Sequence, residues 1–372
     1  MKVLILGDGA TGTAAVEEIR RVDAGSEVVM IADEPNPSYF RAALTNYLLG
    51  ELTDRQLQAV APDFYHRHRV KRFFGRAVQV RPEQKQVVWQ RPDGGQSVEQ
   101  YDRLIISTGS RPRVHNAYAK YMHLPWVRTL RTLVDAKEME DRLQQGLIQS
   151  AVVVGGGPLA MEWVAVMLRR GVDVHLFLRK KQSLMRDVLD GVARDLLLAR
   201  MKQEGVHVHI DEIQHIKSDA SGNVVEVRGL KSSVKADFVG LAMGVEPNSE
   251  CVADSGLRMH RQWIMTNESG QTTDHYVYAG GDVASIRERG SMGLWGPARK
   301  MGILIGRHIT KQTVMTPPYT HYFATRLYDL DCVFAGQLHI EGAEVLAQTT
   351  PNEGNWGYRR LVIHQGLLVG FL

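Results

Sequence analysis

Short apolar runs, each closed by glycine or a turn, set the first pattern along the chain. "KVLILG" (residues 2–7) reads as a buried strand, and "ATGTAAVEEIRRV" (10–22) has the spacing of a helix packed on one side. "EVVMIAD" (27–33) reads as the next strand. A long polar-aromatic loop with "SYFRAALTNYLLGE" (38–51) follows, then a helix through "LTDRQLQAV" (52–60). From 70 to 107 the period becomes strand-like: "VKRFFGRAVQV", "QVVWQ", a turn at "PDGGQ", then "RLIIST".

The pattern then starts again. "SAVVVGGG" (150–157) is a buried strand, "PLAMEWVAVMLRRG" (158–171) a helix ending at Gly171, and "VDVHLFL" (172–178) a second strand. A helix at "DLLLARMKQEG" (195–205) precedes the strand "VHVHI" (206–210) and the hairpin-like "IQHIKSDASGNVVEV" (213–227). A strand–glycine–helix–strand unit therefore appears twice, with Gly155 lying 148 positions after Gly7. One dinucleotide needs one such unit, so two units argue for two nucleotides held by one chain. After Pro317-Pro318 the composition changes to short alternating segments, "CVFAGQLHI", "AEVLAQTT" and "YRRLVIHQGLLVGFL", which predict an antiparallel sheet domain. It stops in mid-strand at Leu372, so this domain is either unusually small or continues further.

Composition narrows the class without choosing a function. The 372 residues are 44% hydrophobic and 23% charged, ordinary for a globular chain of two or three domains. The formal charge of +4 suits anionic cofactors or an acidic protein partner and is too weak to argue for nucleic acid. With two cysteines, Cys251 and Cys332, and no Cys/His cluster, no metal centre is expected, and a reducing cytoplasm is the expected compartment. The histidine pairs at 66/68 and 207/209 have strand spacing and read as solvent-facing rather than as ligands. No signal peptide precedes Lys2, and the most apolar run (151–168) is interrupted by glycines and Glu162, so no membrane span is expected.

"LGDGATG" places Gly7, Gly9 and Gly12 between a strand and a helix, with Ala10 and Thr11 opening the helix. Gly7 permits the tight turn, Gly9 lets backbone approach a pyrophosphate, and Gly12 allows close helix–strand packing. Asp33 ends the second strand, 21 positions beyond Gly12, where a carboxylate accepts ribose hydroxyls; Glu34 is its rival. "YDRLIISTGSRP" (101–112) and "VYAGGDVA" (277–284) resemble the second and third fingerprints of flavoproteins that bind two dinucleotides.

Together with "TLRTLVDA" (129–136), "KADFVGLAMGVEPN" (235–248) and "GLWGPARKMGILIG" (293–306), these motifs give a resemblance along the whole chain. The chain resembles the FAD-dependent pyridine nucleotide–disulfide oxidoreductase superfamily, in the branch of rubredoxin and ferredoxin reductases, NADH oxidases and nitrite reductase flavin modules. The resemblance implies an α/β fold with two Rossmann-like domains and the small C-terminal sheet domain. It places FAD on 1–115 and 240–316, NADH or NADPH on 116–239, and an interface domain on 317–372. It implies FAD contacts at Thr108, Gly109, Arg111, Gly244, Gly281 and Asp282, with Asp282 on the ribitol. It also puts Trp295, Pro297 and Met301 beside the flavin pyrimidine, where helix N–H groups near Met301 stabilise a reduced, anionic ring.

Two departures from the branch stand in the 38–51 stretch. Arg41 matches a family arginine expected along the FAD phosphates or adenine. The redox cysteine of disulfide-reducing members is absent, so no thiol relay is expected. The family lysine near the flavin edge corresponds to Asn46, while its partner glutamate corresponds to Glu162. A carboxylate there without its countercharge is expected to have a raised pKa, leaving open a flavin protein with poor nicotinamide turnover.

In the second unit, Gly155 and Gly157 open the turn, Pro158 and Leu159 begin the helix, and Ala160 takes the third glycine's place. Arg179 and Lys180 follow the strand where NADH-specific sites carry an acid, which suits the 2′-phosphate of NADPH. The expected reaction is hydride transfer from NAD(P)H to FAD and onward to an external carrier such as rubredoxin or ferredoxin. "HRHRVKR" (66–72) is a candidate dock for an acidic carrier. An oxidase, and a flavin subunit of a larger complex, are the competing readings, and a homo-oligomer stays open.

Overall fold

In the computed structural model, which describes residues 1–286, 293–312, 322–327, 330–352 and 355–372, two five-stranded parallel sheets share one plan. The chain divides into two units: 1–43 with 52–111 and 245–317, and 44–51 with 112–244 and 318–372. The Pro317-Pro318 step expected as a boundary lies outside the described residues.

In the first unit, Lys2–Leu6 is the middle strand, with Glu27–Ala32 and Val70–Phe74 on one side and Arg103–Ile106 and Val277–Ala279 on the other. Strands covered on both faces need apolar side chains on both faces, which is why "KVLIL" and "VVMIA" are unbroken apolar runs. Val3 and Ile5 face helices Ala10–Val22 and Trp295–Ile309, meeting Val16, Ile19 and Ile305. Leu4 and Leu6 face the opposite layer, against Val87, Trp89 and Tyr101. The two helices approach closely because Gly302 and Gly306 carry no side chain: a Cβ on Gly302 would stand 2.2 Å from the Thr11 carbonyl oxygen.

The second unit repeats the plan with His207–Ile210, Asp173–Leu178, Ser150–Val154, Phe238–Leu241 and Val127–Arg128, all parallel in that order. Trp163, fully buried on helix Pro158–Arg169, lies over Gly240, where a Cβ would clash with its ring. An antiparallel ribbon of Ile213–Ser218, Val224–Gly229 and Ser233–Val234 covers one face. The C-terminal segment forms the expected antiparallel sheet: Tyr322–Leu327, Leu330–Gly336, Glu344–Asn352, Asn355–His364 and Leu367–Phe371.

Three local expectations change. The 70–80 run is two strands, Val70–Phe74 in the parallel sheet and Arg76–Arg81 in a separate antiparallel one. The chain leaves one sheet for the other at Gly75, where a Cβ would lie 2.5 Å from the Gln90 carbonyl and the Trp89 ring. The 52–60 helix shortens to Asp54–Leu57, started by a Thr53–Gln56 capping box. It stops because Phe40 and Ala59 form backbone hydrogen bonds to Leu57 and Ser38, bridging Tyr39 to Gln58. The 38–51 loop contains helical turns at Arg41–Ala43 and Leu44–Leu48. Among the described residues, no helix is long and apolar enough to cross a membrane.

Candidate dinucleotide sites

The turn after the first strand is shaped by close backbone approach. Gly7 has φ +94°, and a Cβ there would stand 2.3 Å from the Ser107 carbonyl oxygen. A Cβ on Gly12 would stand 2.2 Å from the Gly7 carbonyl oxygen, so this position holds the helix against the strand. Gly9 differs. It caps the 13-residue helix Ala10–Val22 in extended conformation, and no heavy atom lies within 4 Å of where its Cβ would be. The first-turn N–H groups lack intrahelical partners and stand at the positive end of the helix dipole, beside the open space at Gly9. Ala10 and Thr11 are buried, and the Thr11 hydroxyl donates to the Ala298 carbonyl at 2.8 Å, pinning helix Trp295–Ile309 to the turn.

The two acidic rivals separate. Asp33 is exposed, lines a cleft with Gly7, Thr108 and Asn248, and makes no hydrogen bond or ion pair among the described residues. Glu34 is held by the Arg41 guanidinium and by the Tyr39 hydroxyl at 2.7 Å. Arg41 also donates to Tyr39, so it is anchored beside the acid; burial pulls its pKa down, and Glu34, Tyr39 and Asp33 together outweigh that and raise it. Asp8, between the two glycines, was not singled out in the sequence. It pairs with Arg72 at 2.8 Å, and burial pushes its carboxyl up against that pull. Arg72 also clamps the carbonyls of Glu34 and Asn36. The stretch 66–72 is thus not a free basic patch: Arg72 is half-buried, Lys71 is exposed but pairs with Glu27, and Arg67 and Arg69 are exposed.

Thr108 and Asn248 bond to each other's backbone carbonyls, and Gly109 accepts the Asn248 N–H at 3.0 Å with φ +70°. Arg111 is engaged by Glu246 at 2.8 Å and by Glu250, so its charge is spent within the protein. Gly281 has φ +76° and turns the chain so that Asp282 accepts from the Ser110 hydroxyl at 3.0 Å. Trp295 begins its helix with its ring centroid 5.0 Å from that of Phe40, Pro297 is buried in the first turn, and Met301 packs on the core.

The second turn follows the same logic. A Cβ on Gly155 (φ +133°) would stand 2.1 Å from the Ala242 carbonyl oxygen, while one on Gly157 would meet nothing within 4 Å. Gly157 caps helix Pro158–Arg169 in extended conformation, and Pro158 occupies a position with no intrahelical N–H bond to lose. Leu159 is partly exposed beside it, and Ala160 is buried where the third glycine would pack. Gly244 has φ +93° with open space at its Cβ position. Leu178 ends its strand buried, and Arg179 and Lys180 follow, exposed, their side chains making no hydrogen bond or ion pair among the described residues.

Glu162 lies on that helix, and its neighbours differ from expectation. The Asn46 amide donates to Glu51 at 2.7 Å, and Glu51 meets Arg169 at 3.3 Å; Asn46 is exposed and turned from Glu162. The reason is helical phase: in Leu44–Leu48 it is Thr45 that faces inward, and its hydroxyl donates to Glu162 at 3.3 Å. Thr325 donates to the other carboxylate oxygen at 3.4 Å. With no cation beside it among the described residues, burial pushes the Glu162 carboxyl up to about 7. An acid near 4.5 when unfolded and near 7 when folded costs the folded chain stability as pH rises between those values. Glu162→Gln is therefore expected to raise Tm at pH 8, by roughly 2–4 °C for each kcal/mol relieved, and to change it little at pH 4.5. A Tm difference independent of pH would contradict this.

Neither thiol is built for exchange. Burial pushes the Cys251 thiol up to about 12 and raises that of Cys332, and both are free.

The pyridine nucleotide-disulphide oxidoreductase family matches residues 1–302, and its flavoproteins bind FAD and NAD(P)H. The chain is 27% identical over 317 residues to the assimilatory nitrate reductase electron transfer subunit of Bacillus subtilis (strain 168), covering 83% of this chain and 39% of that protein. It is 27% identical over 364 residues to nitrite reductase [NAD(P)H] of the same organism, covering 95% of this chain and 41% of that protein. The chain thus spans about two fifths of the length of these relatives. The covalent putidaredoxin reductase–putidaredoxin complex shares the fold at TM-score 0.89 and 21% identity, covering all of this chain and 88% of that one.

Proposed function

The chain belongs to the pyridine nucleotide-disulphide oxidoreductase family, and from that premise we propose an FAD-dependent NAD(P)H oxidoreductase that passes electrons to an external redox carrier. The observation that carries this reading is the duplicated glycine turn. Gly9 and Gly157 each leave open space before the N-terminus of a helix of twelve or more residues. Such an end supplies N–H donors and a positive dipole to a pyrophosphate.

Bound FAD supplies the ring that accepts hydride and releases electrons singly or in pairs. The residues' task is to bind and orient. Around Gly9, Asp33 offers an exposed carboxylate to a ribose, and Arg41 with Glu34 and Tyr39 forms a braced polar wall. Asp282, positioned by Ser110, offers a carboxylate to the ribitol hydroxyls. Around Gly157, Arg179 and Lys180 present uncommitted cations, and Glu162 holds a proton near neutrality. Cys251, buried, and Cys332, half-buried, both with raised thiol pKa, are poorly suited to a disulfide relay.

We take the carrier to be a small redox protein, with Arg67 and Arg69 as the cations left to meet an acidic surface. A second reading, an electron-delivering subunit of a larger reductase, is favoured by the name and the greater length of the nitrate reductase relative. Anaerobic NAD(P)H oxidation with an added ferredoxin or rubredoxin, set beside oxygen uptake in air, separates carrier reduction from oxidase activity. The carrier-coupled rate is expected to exceed the oxygen rate at least tenfold; the reverse order would establish an oxidase.

The cations after Leu178 lead us to NADPH as the preferred donor. A charged hydrogen bond to a 2′-phosphate contributes about 1.5–3 kcal/mol, or roughly ten- to hundredfold in discrimination. Arg179→Ala is expected to lower kcat/KM for NADPH by that factor and to spare NADH. Equal values for both cofactors in the parent, or equal losses in the variant, would rule NADPH preference out.

A further inference from the structure

Outside both turns, one side-chain cluster in the second unit has no role in the chemistry above. Strand Asp173–Leu178 and the edge strand His207–Ile210 run parallel with His175 opposite His207. Because side chains alternate along a strand, Asp173 and His175 share a face with His207 and His209. The Asp173 carboxylate meets His175 Nε2 at 3.2 Å through one oxygen and His207 Nε2 at 3.2 Å through the other. One ligand atom from each of the three residues lies within 4.8 Å of the other two. The His175 and His207 rings stack with centroids 4.7 Å apart, which fixes both.

We propose that Asp173, His175 and His207 form a binding site for a divalent first-row transition ion, with Zn²⁺ as its natural fit. Two imidazoles and one carboxylate are a ligand set that suits zinc and its neighbours. Tetrahedral bonds of about 2.0–2.1 Å put donor atoms roughly 3.3 Å apart, close to the 3.2 Å each imidazole keeps from its own Asp173 oxygen, and a set with one oxygen closes from within 4.8 Å. The remaining nitrogen of His175, Nδ1, lies 3.1 Å from His209 Nε2. When Nε2 of His175 takes the ion, Nδ1 carries the proton and donates it to His209, whose ring is braced by stacking on Phe177 at 4.5 Å.

The site is open on one side. His175 is 13% exposed, while Asp173 and His207 are 52% and 56% exposed, so a fourth position is left for water or an outside ligand. The ion would clip the edge strand to its neighbour, and it makes no demand on flavin or nicotinamide.

The test is titration calorimetry of the flavin-loaded, chelator-treated protein with Zn²⁺, followed by Co²⁺ as a spectroscopic probe. One equivalent of Zn²⁺ is expected to bind with micromolar affinity, and Co²⁺ to give the visible absorption of a low-coordinate N/O site. Both His207→Ala and Asp173→Asn change exposed side chains, and each is expected to weaken Zn²⁺ at least tenfold. His66→Ala, in the other histidine pair, is expected to leave the affinity unchanged. No saturable binding, or an affinity within about threefold of the parent in either His207→Ala or Asp173→Asn, would overturn the site.

Discussion

Gly9→Asp is expected to yield a folded, colourless protein. Gly9 has φ −70° and ψ −165°, which any residue adopts, and nothing lies within 4 Å of the new Cβ. It also occupies the N-cap, where aspartate is among the preferred residues because its carboxylate accepts the orphan N–H groups of the first turn. The fold should therefore keep or gain stability. The same carboxylate fills the place of an anion: two unit charges about 4 Å apart at an effective dielectric near 20 repel by about 4 kcal/mol, roughly a thousandfold in affinity. Flavin content per chain after gel filtration and the apo-protein Tm check the two halves separately. Parent-like flavin content in Gly9→Asp would mean that this helix end does not hold the cofactor.

Gly157→Asp is the matching variant in the second unit, with a different outcome. Gly157 is again an extended N-cap with open space at its Cβ. The variant is expected to purify yellow, since the first unit's turn is untouched, yet to be reduced by NAD(P)H at least a hundredfold more slowly at fixed cofactor concentration. Dithionite should still bleach it fully. A variant reduced at the parental rate would show that the second turn is structural and that nicotinamide binds elsewhere. The two substitutions thus assign each turn to its own nucleotide.

Both turns were legible in the chain because their chemistry is local. A glycine needed for φ +94° or for a carbonyl 2.3 Å away leaves a mark at one position, and the apolar runs on either side declare a parallel sheet. Helix Ala10–Val22 and the strands beside it stand where the pattern put them. What was not legible depends on register and on pairing at a distance. Asn46 and Thr45 are adjacent, and only the phase of a five-residue helix decides which one meets Glu162. Arg72 belonged to a basic run in the sequence, yet 64 positions away Asp8 draws it inside. The 70–80 run reads as one strand because Gly75 alone marks the change of sheet. His207 is exposed, as its spacing suggests, but that it stands opposite His175 and meets Asp173 was not readable, since those two come from another strand with the same alternate spacing. That shared period was the available signal, and the parallel register gave it meaning.

The most direct measurement of the central claim is anaerobic stopped-flow mixing of the purified protein with NADH and, separately, NADPH, followed at the flavin absorbance near 450 nm, a wavelength set by the oxidised ring rather than by this chain. An NAD(P)H-dependent flavoprotein reductase is expected to bleach in a single turnover, at a rate that saturates with cofactor concentration and is higher for NADPH. A protein that holds FAD but stays yellow with both cofactors, while dithionite bleaches it, would contradict the reductase and leave a flavin-binding subunit in its place.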